Sequence, residues 1–394
     1  MFLAILISLA LLTIAAEVIL RREIVGRLSR HGRTLYYVVS LVALLLCLTT
    51  IVIGRLTDYR AEWWTVFDSV ALMLFIVNAA VKILFAAEKL LTRGRERKGR
   101  FTAAAVLSLL TVATICYGVF VEHNTLHVER LELSFGTLPE AADGLRIVEV
   151  ADLHIGLKPN RYRRLEQLAD SVAALRPDMI LVCGDLIDSY YDELDTTTMQ
   201  LLSRLKAPLG TFAVIGNHDN GMYVVDTVKL PRAENLRRLI ERERAMGWQV
   251  LVDTTIFVAV GHDSIAVTGL DYPAELRRGT HGRSIENADY RALYDAVPEG
   301  VFNITAAHYP TVWDNILACD RADLTLAGHV HSMQLKIPIG RRGWSPSALV
   351  YKYWSGLYES DGRYLNVTDG AGSGVPIRVG VPPEISLITL RRSE

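Results

Sequence analysis

The chain has 394 residues, room for about two or three domains, and 51% of them are hydrophobic with a mean hydropathy of +0.24, high for a wholly soluble protein. Residues 1–124 carry 14 basic and 8 acidic side chains, net +6, and the remainder 28 and 35, net −7. An acidic carboxyl-terminal part is a poor partner for nucleic acid, whose binding rests on basic contacts to phosphate, so neither a nuclease role nor a nucleic-acid partner is expected.

Four apolar stretches come first, roughly Phe2 to Leu20, Leu35 to Gly54, Trp63 to Ala87 and Phe101 to Val121, each near the length that crosses a ~30 Å hydrocarbon core. The first has no basic residue ahead of it and carries its basic residues behind, which reads as an uncleaved helix rather than a signal peptide. Arg21, Arg22, Arg27, Arg30 and Arg33 fill the first loop and Lys89, Arg93, Arg95, Arg97, Lys98 and Arg100 the third, against Arg55 and Arg60 in the second. Loops one and three are then cytoplasmic, and everything after about Val121 is extracytoplasmic. Tyr59, Trp63 and Trp64 at the outer side, with Tyr36 and Tyr37 at the inner, suit the interfacial aromatic belt.

Three ionisable residues fall inside these spans. Glu17 lies a turn from Arg21, Asp68 a turn inside its span, and Lys82 is within snorkelling reach of the inner surface, so an anchoring role is expected rather than a transport path. Cys47 and Cys116 sit in spans, Cys183 ends an apolar strand and Cys319 follows a helical pattern. No Cys-x-x-Cys spacing is present, and free buried thiols are expected rather than a Cys183 to Cys319 bridge.

Beyond Glu122 the pattern becomes that of an α/β domain. Leu126 to Phe135 alternates as a strand with one wet face, after a short linker. Arg161 to Leu175 sets Leu165, Leu168, Ala169, Val172 and Leu175 on one helical face and ends at Arg176-Pro177. Further helices are expected over about 194–205 and 233–246, a hairpin over 250–260 and 264–270, and strands near 334–337, 364–367 and 385–390.

Five apolar strand-like runs end abruptly in polar clusters. Ile147 to Ala151 leads into Asp152-Leu153-His154, Met179 to Cys183 into Gly184-Asp185, and Ala213 to Ile215 into Gly216-Asn217-His218-Asp219. Phe302 to Ala307 leads into His308, and Leu324 to Ala327 into Gly328-His329-Val330-His331. Carboxyl ends of buried strands are where α/β proteins present chemistry. Each motif alone is common by chance, but all five in this order are not. Asp152, His154, Asp185, Asn217, His308, His329 and His331 offer imidazole, carboxylate and amide donors without thiolate, a set suited to Mn, Fe or Zn. They are too many for one ion and right for two divalent ions sharing a bridging carboxylate, a standard device for displacement at phosphorus. His218 is the expected proton donor to the leaving group, with Asp219 expected to hold its imidazole.

The series Asp-x-His, Gly-Asp, Gly-Asn-His-Asp, lone His and Gly-His-x-His resembles the calcineurin-like metallophosphoesterase superfamily over roughly Leu145 to Leu390. The resemblance implies that Asp152, His154 and His331 hold one ion and Asn217, His308 and His329 a second, with Asp185 bridging. It also implies two mixed β-sheets flanked by helices. The expected organisation is a four-span transmembrane domain over 1–121, a linker and first strand over 122–144, and the metallophosphoesterase domain over 145–394. The tail from Gly370 to Arg378, followed by Pro382-Pro383-Glu384-Ile385, is similar to the bacterial membrane-attached branch that includes phosphodiesterases related to UDP-diacylglucosamine hydrolases. That branch continues Gly-His-x-His with two glycines and Gln, where this chain has Ser332-Met333-Gln334.

Arg378 is a candidate phosphate clamp. Asp188, Tyr190, Tyr191 and the aromatics of 344–358 (Trp344, Tyr351, Tyr353, Trp354 and Tyr358) could line a lipid or sugar pocket, rest on a membrane, or simply pack in the core. The expected function is a multi-pass inner-membrane phosphoesterase, manganese-dependent or using Fe or Zn. It would cleave a phosphodiester or phosphomonoester, lipid- or envelope-linked, on the extracytoplasmic side. The alternative is a catalytically silent metal-binding sensor or scaffold that keeps the fold.

Overall fold

The computed structural model describes residues 2–21, 29–56, 62–92, 102–156, 160–224, 230–271, 290–340, 343–372 and 374–393. The expectations placed on Arg22, Arg27, Cys47, Arg55, Tyr59, Arg60, Trp63, Trp64, Asp68, Arg93, Arg95, Arg97, Lys98, Arg100 and Ser373 concern residues or side chains outside that set. The chain forms two compact units, Met1–Tyr117 and Gly118–Glu394.

The first unit is helical, with α1 (Phe2–Leu20), α2 (Arg30–Leu56), α3 (Glu62–Leu91) and the start of α4 (Thr102–Phe120). Among the described residues, Ala104–Asn124 is long and apolar enough to cross a membrane, while Ser8–Leu20 is apolar but shorter. Lys82 does not snorkel. It is only 5% exposed and donates to Glu17 Oε2 and Ser40 Oγ, both at 2.6 Å, while Tyr36 Oη donates to the same Glu17 oxygen at 3.0 Å. A carboxylate and an ammonium on facing helices satisfy each other, which removes the need to reach for water.

The second unit opens with β1 (His127–Phe135), β2 (Arg146–Val150), α5 (Arg161–Leu175), β3 (Met179–Cys183), α6 (Thr196–Leu202) and β4 (Thr211–Val214). It continues through α7 (Arg232–Ala245), β5 (Gln249–Val250), β6 (Thr254–Val260), β7 (Asp263–Gly269), α8 (Arg291–Tyr294), β8 (Asn303–Ala306), α9 (Trp313–Leu317) and β9 (Leu324–Ala327). It closes with β10 (Gly356–Ser360), β11 (Arg363–Val367) and β12 (Glu384–Arg392).

These strands build two six-stranded mixed sheets, ordered β1-β12-β2-β3-β4-β5 and β10-β11-β9-β8-β7-β6. In the first sheet β2, β3 and β4 are parallel neighbours, and in the second β7, β8 and β9 are. Between the sheets lie Ile147, Leu181 and Phe212 from one and Ile265, Ile304 and Leu324 from the other, a core that contributes about 1.5–3 kcal/mol per large side chain before entropy is counted. On the outer face of the first sheet, α5 lays Leu165, Leu168, Val172 and Leu175 over Val148, Val150, Ile180 and Val182. The helix stops where Arg176 turns left-handed at φ 46°, because Pro177 cannot extend it. The stretch expected as a strand near 334–337 is instead a tight turn with two isolated bridges, Leu335 to Val379 and Ile337 to Trp344.

Candidate metal centre

The residues that follow β2, β3 and β4 meet those that follow β8 and β9, because the parallel strands of each sheet end at one edge. Backbone shape then aims the donors. Asp152, His154, Asp185, His329 and His331 all have positive φ, between 43° and 75°, a conformation that costs non-glycine residues about 1 kcal/mol or more and concentrates at functional sites. Two glycines make room: a Cβ on Gly216 would lie 2.1 Å from Asp185 Oδ1, and one on Gly328 would lie 2.3 Å from Asp152 Oδ2.

Two donor groups result. In the first, His331 Nε2 is 3.2 Å from Asp152 Oδ1 and 3.4 Å from His154 Nε2. In the second, Asn217 Oδ1 is 3.0 Å from His308 Nε2 and 2.9 Å from His329 Nδ1, and those two nitrogens are 3.2 Å apart. Asp185 Oδ2 stands between the groups, 3.2 Å from His308 Nε2 and 3.8 Å from His154 Nε2. All seven donors expected from the sequence therefore lie around one cleft, and the sets Asp152, His154, His331 and Asp185, His308, His329 are each compact enough to hold a metal ion. Imidazole nitrogens this close need a proton or a cation between them, and a nitrogen and oxygen donor set fits a borderline divalent ion.

The residues of the cleft sort their own charges. Burial raises the Asp152 carboxyl, but the facing His331 outweighs it and holds the group down to about 2. Asp185 is likewise driven well below the carboxylate range, since His308 and His218 overcome its burial. Burial, then repulsion from neighbouring imidazoles, lowers His154 to about 4 and His329 to about 3, leaving both neutral. His308 goes the other way: burial is opposed by Asp185, which brings it up to about 9.

Second contacts fix the imidazoles. His308 Nδ1 donates to the Cys183 carbonyl at 2.8 Å, and His154 Nδ1 to Asp188 Oδ1 at 3.2 Å. His218 Nδ1 donates to the Asp188 carbonyl at 2.6 Å, not to Asp219. The expectation that Asp219 orients His218 is corrected. Asp219 is fully buried and accepts the backbone amides of Leu186 and Ile187 on one oxygen, at 2.9 and 3.1 Å, and that of Gly216 on the other, at 3.0 Å. It clamps two strand-end loops together. Burial and the charge of Asp185 raise its carboxyl to about 6.

Arg378 also leaves its expected role. It is wholly buried, where it donates to the carbonyls of Asp369 and Gly370 at 2.9 Å and of Val381 and Pro382 at 3.3 and 3.2 Å, out of reach of a phosphate in the cleft. It shapes the loop whose Ala371 and Gly372 amides donate to the Ala151 and Asp152 carbonyls at 2.9 and 2.8 Å, so it supports a donor rather than the substrate.

The aromatic segment divides. Tyr353 and Trp354 are buried, Tyr353 against Trp313 and Tyr358, while the Tyr351 ring is 5.9 Å from His329 and Trp344 is 40% exposed. Sequence reasoning missed Tyr223, which stacks on His218 at 4.1 Å, and Tyr309, 4.5 Å from His329. It also missed Glu193, which accepts the amides of Asp188, Ser189 and Tyr190, and Asn235, which bonds Tyr191 and Ser189. Nothing in their local pattern distinguishes these two from surface residues of a loop and a helix. Cys183 and Cys319 are unbridged.

Residues 145–333 match the family model of the calcineurin-like phosphoesterases. The chain belongs to that family over this stretch. It is accordingly a hydrolase acting on phosphoester bonds. It is 27% identical to a zebrafish (Danio rerio) transmembrane protein with metallophosphoesterase domain, over 86% of this chain and 76% of the relative. Metallophosphoesterase YkuE of Bacillus subtilis is also 27% identical, over 77% of this chain and 99% of its own length. The UDP-2,3-diacylglucosamine pyrophosphatase LpxG of Chlamydia trachomatis is 24% identical over 72% of this chain and 96% of the relative.

Proposed function

We propose that this phosphoesterase is membrane-anchored and uses two divalent ions, Mn, Fe or Zn, to hydrolyse a lipid- or envelope-linked phosphodiester or phosphomonoester on the extracytoplasmic side. The observation that carries the two-ion reading is the position of Asp185 Oδ2, one carboxylate oxygen within 3.8 Å of donors of both groups. Asp152, His154 and His331 would hold one ion, Asn217, His308 and His329 the other, with Asp185 shared. When bound, the ions neutralise phosphate charge and make water acidic enough to supply a nucleophile near neutral pH. The Asp188 carbonyl fixes the proton of His218 on Nδ1, which leaves Nε2 to hold and deliver a proton to the departing alkoxide. The stacked Tyr223 ring restricts how the imidazole can turn.

Support for a lipid-linked substrate comes from the cleft beside His154. Leu126, Leu153, Ile155, Leu165 and Arg164 line it together with Asn124, the last residue of the apolar stretch that is long enough to span a membrane. The relative named for UDP-2,3-diacylglucosamine points the same way. The basic first and third loops support cytoplasmic placement of those loops, and hence an outer catalytic domain.

Purified full-length protein with Mn is expected to hydrolyse bis-p-nitrophenyl phosphate or p-nitrophenyl phosphate and to carry close to two ions by metal analysis. Asp185→Ala should lose both the turnover and the ions. Turnover in Asp185→Ala equal to the wild type would remove the assignment.

A further inference from the structure

Exposed apolar side chains in the second unit are mostly single residues, such as Tyr162, Val252 and Phe257, which need no explanation. One segment differs. Between residues 337 and 350, Ile337, Ile339, Trp344, Leu349 and Val350 all face solvent, with Ile339 66% and Leu349 79% exposed. Ile337 and Trp344 are held side by side by two backbone hydrogen bonds, the Ile337 amide to the Trp344 carbonyl at 2.7 Å and the reverse at 2.8 Å. A tryptophan flanked by bare aliphatic side chains has the composition of a surface that rests in a bilayer interface.

The hydrogen bonds say where this loop emerges. Lys336, at its base, donates its amide to the Val379 carbonyl at 2.8 Å, and Val379 donates to Gln334 at 3.0 Å. The residues on either side of Val379 grip the end of α4: the Arg378 amide donates to the Gly118 carbonyl at 3.3 Å, and the Gly380 amide to Glu122 Oε2 at 2.9 Å. The contact is close, since a Cβ on Gly118 would lie 2.5 Å from the Arg378 oxygen. Phe120 and Val121, just there, are also exposed. The apolar loop therefore leaves this unit beside Gly118–Asn124, the residues with which the unit begins and in which the apolar stretch ends. Its other attachments lead to the metal centre. Ser345 Oγ donates to the Ser332 carbonyl at 2.6 Å, next to His331, and Tyr351 lies against His329.

We infer that Ile337, Ile339, Trp344, Leu349 and Val350 form a second membrane contact, seated in the headgroup region of the bilayer that the apolar stretch ending at Asn124 enters, and that this contact brings the candidate metal centre to the lipid surface. The substrate class follows: an amphiphile whose phosphate sits at headgroup level, reached without leaving the membrane. The inference rests on the reading that Ala104–Asn124 spans the bilayer.

The test uses the full-length chain with Cys47, Cys116 and Cys319 replaced by Ala, reconstituted in phosphatidylethanolamine and phosphatidylglycerol vesicles and carrying a bimane label at Leu349→Cys or, separately, at Leu109→Cys. A thermal transition matching the unlabelled chain shows that each variant is folded. Nitroxide placed at the lipid headgroup should cut emission from position 349 to about half or less, while nitroxide deep in the acyl chains should do the same at 109. Quenching at 109 with none at 349 overturns the loop contact and leaves the span standing. Quenching at neither position overturns the span reading, and the loop inference with it.

Discussion

At Asp219 a carboxylate that the sequence places beside a histidine serves three backbone amides instead. Removing it leaves those buried donors unsatisfied at about 1–3 kcal/mol each, so Asp219→Ala should lower the thermal midpoint in detergent severely. His218→Ala should leave the midpoint in place and lower kcat by about 10²–10⁴-fold, the usual loss for a general acid. If Asp219→Ala melts like the wild type and loses kcat like His218→Ala, the carboxylate works through the histidine after all. Glu384 gives a second contrast. Its packing, then the charge of Asp369, push its carboxyl up to about 7 from an ordinary 4.5. Between those values the folded chain binds more protons than the unfolded one, so stability falls as pH rises from about 4.5 to about 7. Glu384→Gln should flatten that part of the profile, and an unchanged slope would show that Glu384 is already ionised throughout.

At the scale of elements, periodicity was a sufficient guide wherever one face is buried. The α5 face reads straight from its leucines, and the hairpin from β6 to β7 from its alternation. It failed at 334–337, where hydrogen bonds to Val379 and Trp344 replace a strand ladder. It also missed that Glu17 and Lys82 pair with each other, since a pairing between helices leaves no local trace. Glu17→Gln and Lys82→Met should each destabilise the helical unit by more than the double variant does, because a lone buried charge costs more than none. The turn after His331 shows how a departure from a family pattern can be absorbed. His331, Ser332, Met333 and Gln334 all have φ between 47° and 57°, so the backbone keeps a shape suited to glycine. Ser332 Oγ bonds Asp369, and Gln334 Nε2 reaches the Val375 and Ile377 carbonyls at 2.7 and 2.6 Å, which holds the strain in place. Met333→Gly should then stabilise the protein by up to about 1 kcal/mol. Ser332→Gly should destabilise it through the lost bond to a carboxylate, and equal signs for the two would mean that strain is not what the turn stores.

Over the whole molecule, the candidate metal centre is the place where the two sheets depend on each other. Asp152, His154, Asp185 and Asn217 follow strands of one sheet, and His308, His329 and His331 follow strands of the other. These donors were visible in the sequence because strand ends punctuate it so regularly. The supporting roles of the Asp188 carbonyl, Glu193, Asn235 and the buried Arg378 were not, because each of their bonds has a backbone group at one end, which no side-chain pattern marks. An ion bound between the sheets cross-links them, and a ligand present at about a hundred times its Kd adds about 2.7 kcal/mol to the folded state. For a domain of this size that amounts to roughly 5–10 °C in thermal midpoint. Chelation with EDTA should lower the midpoint by about that much and abolish bis-p-nitrophenyl phosphate hydrolysis, and added Mn should restore both. Asp185→Ala should melt at the chelated midpoint whether or not Mn is present, since the carboxylate common to both donor groups is gone. A wild-type midpoint that ignores EDTA while hydrolysis stops would place the ions outside the seam between the sheets, and the shared role of Asp185 would go with it.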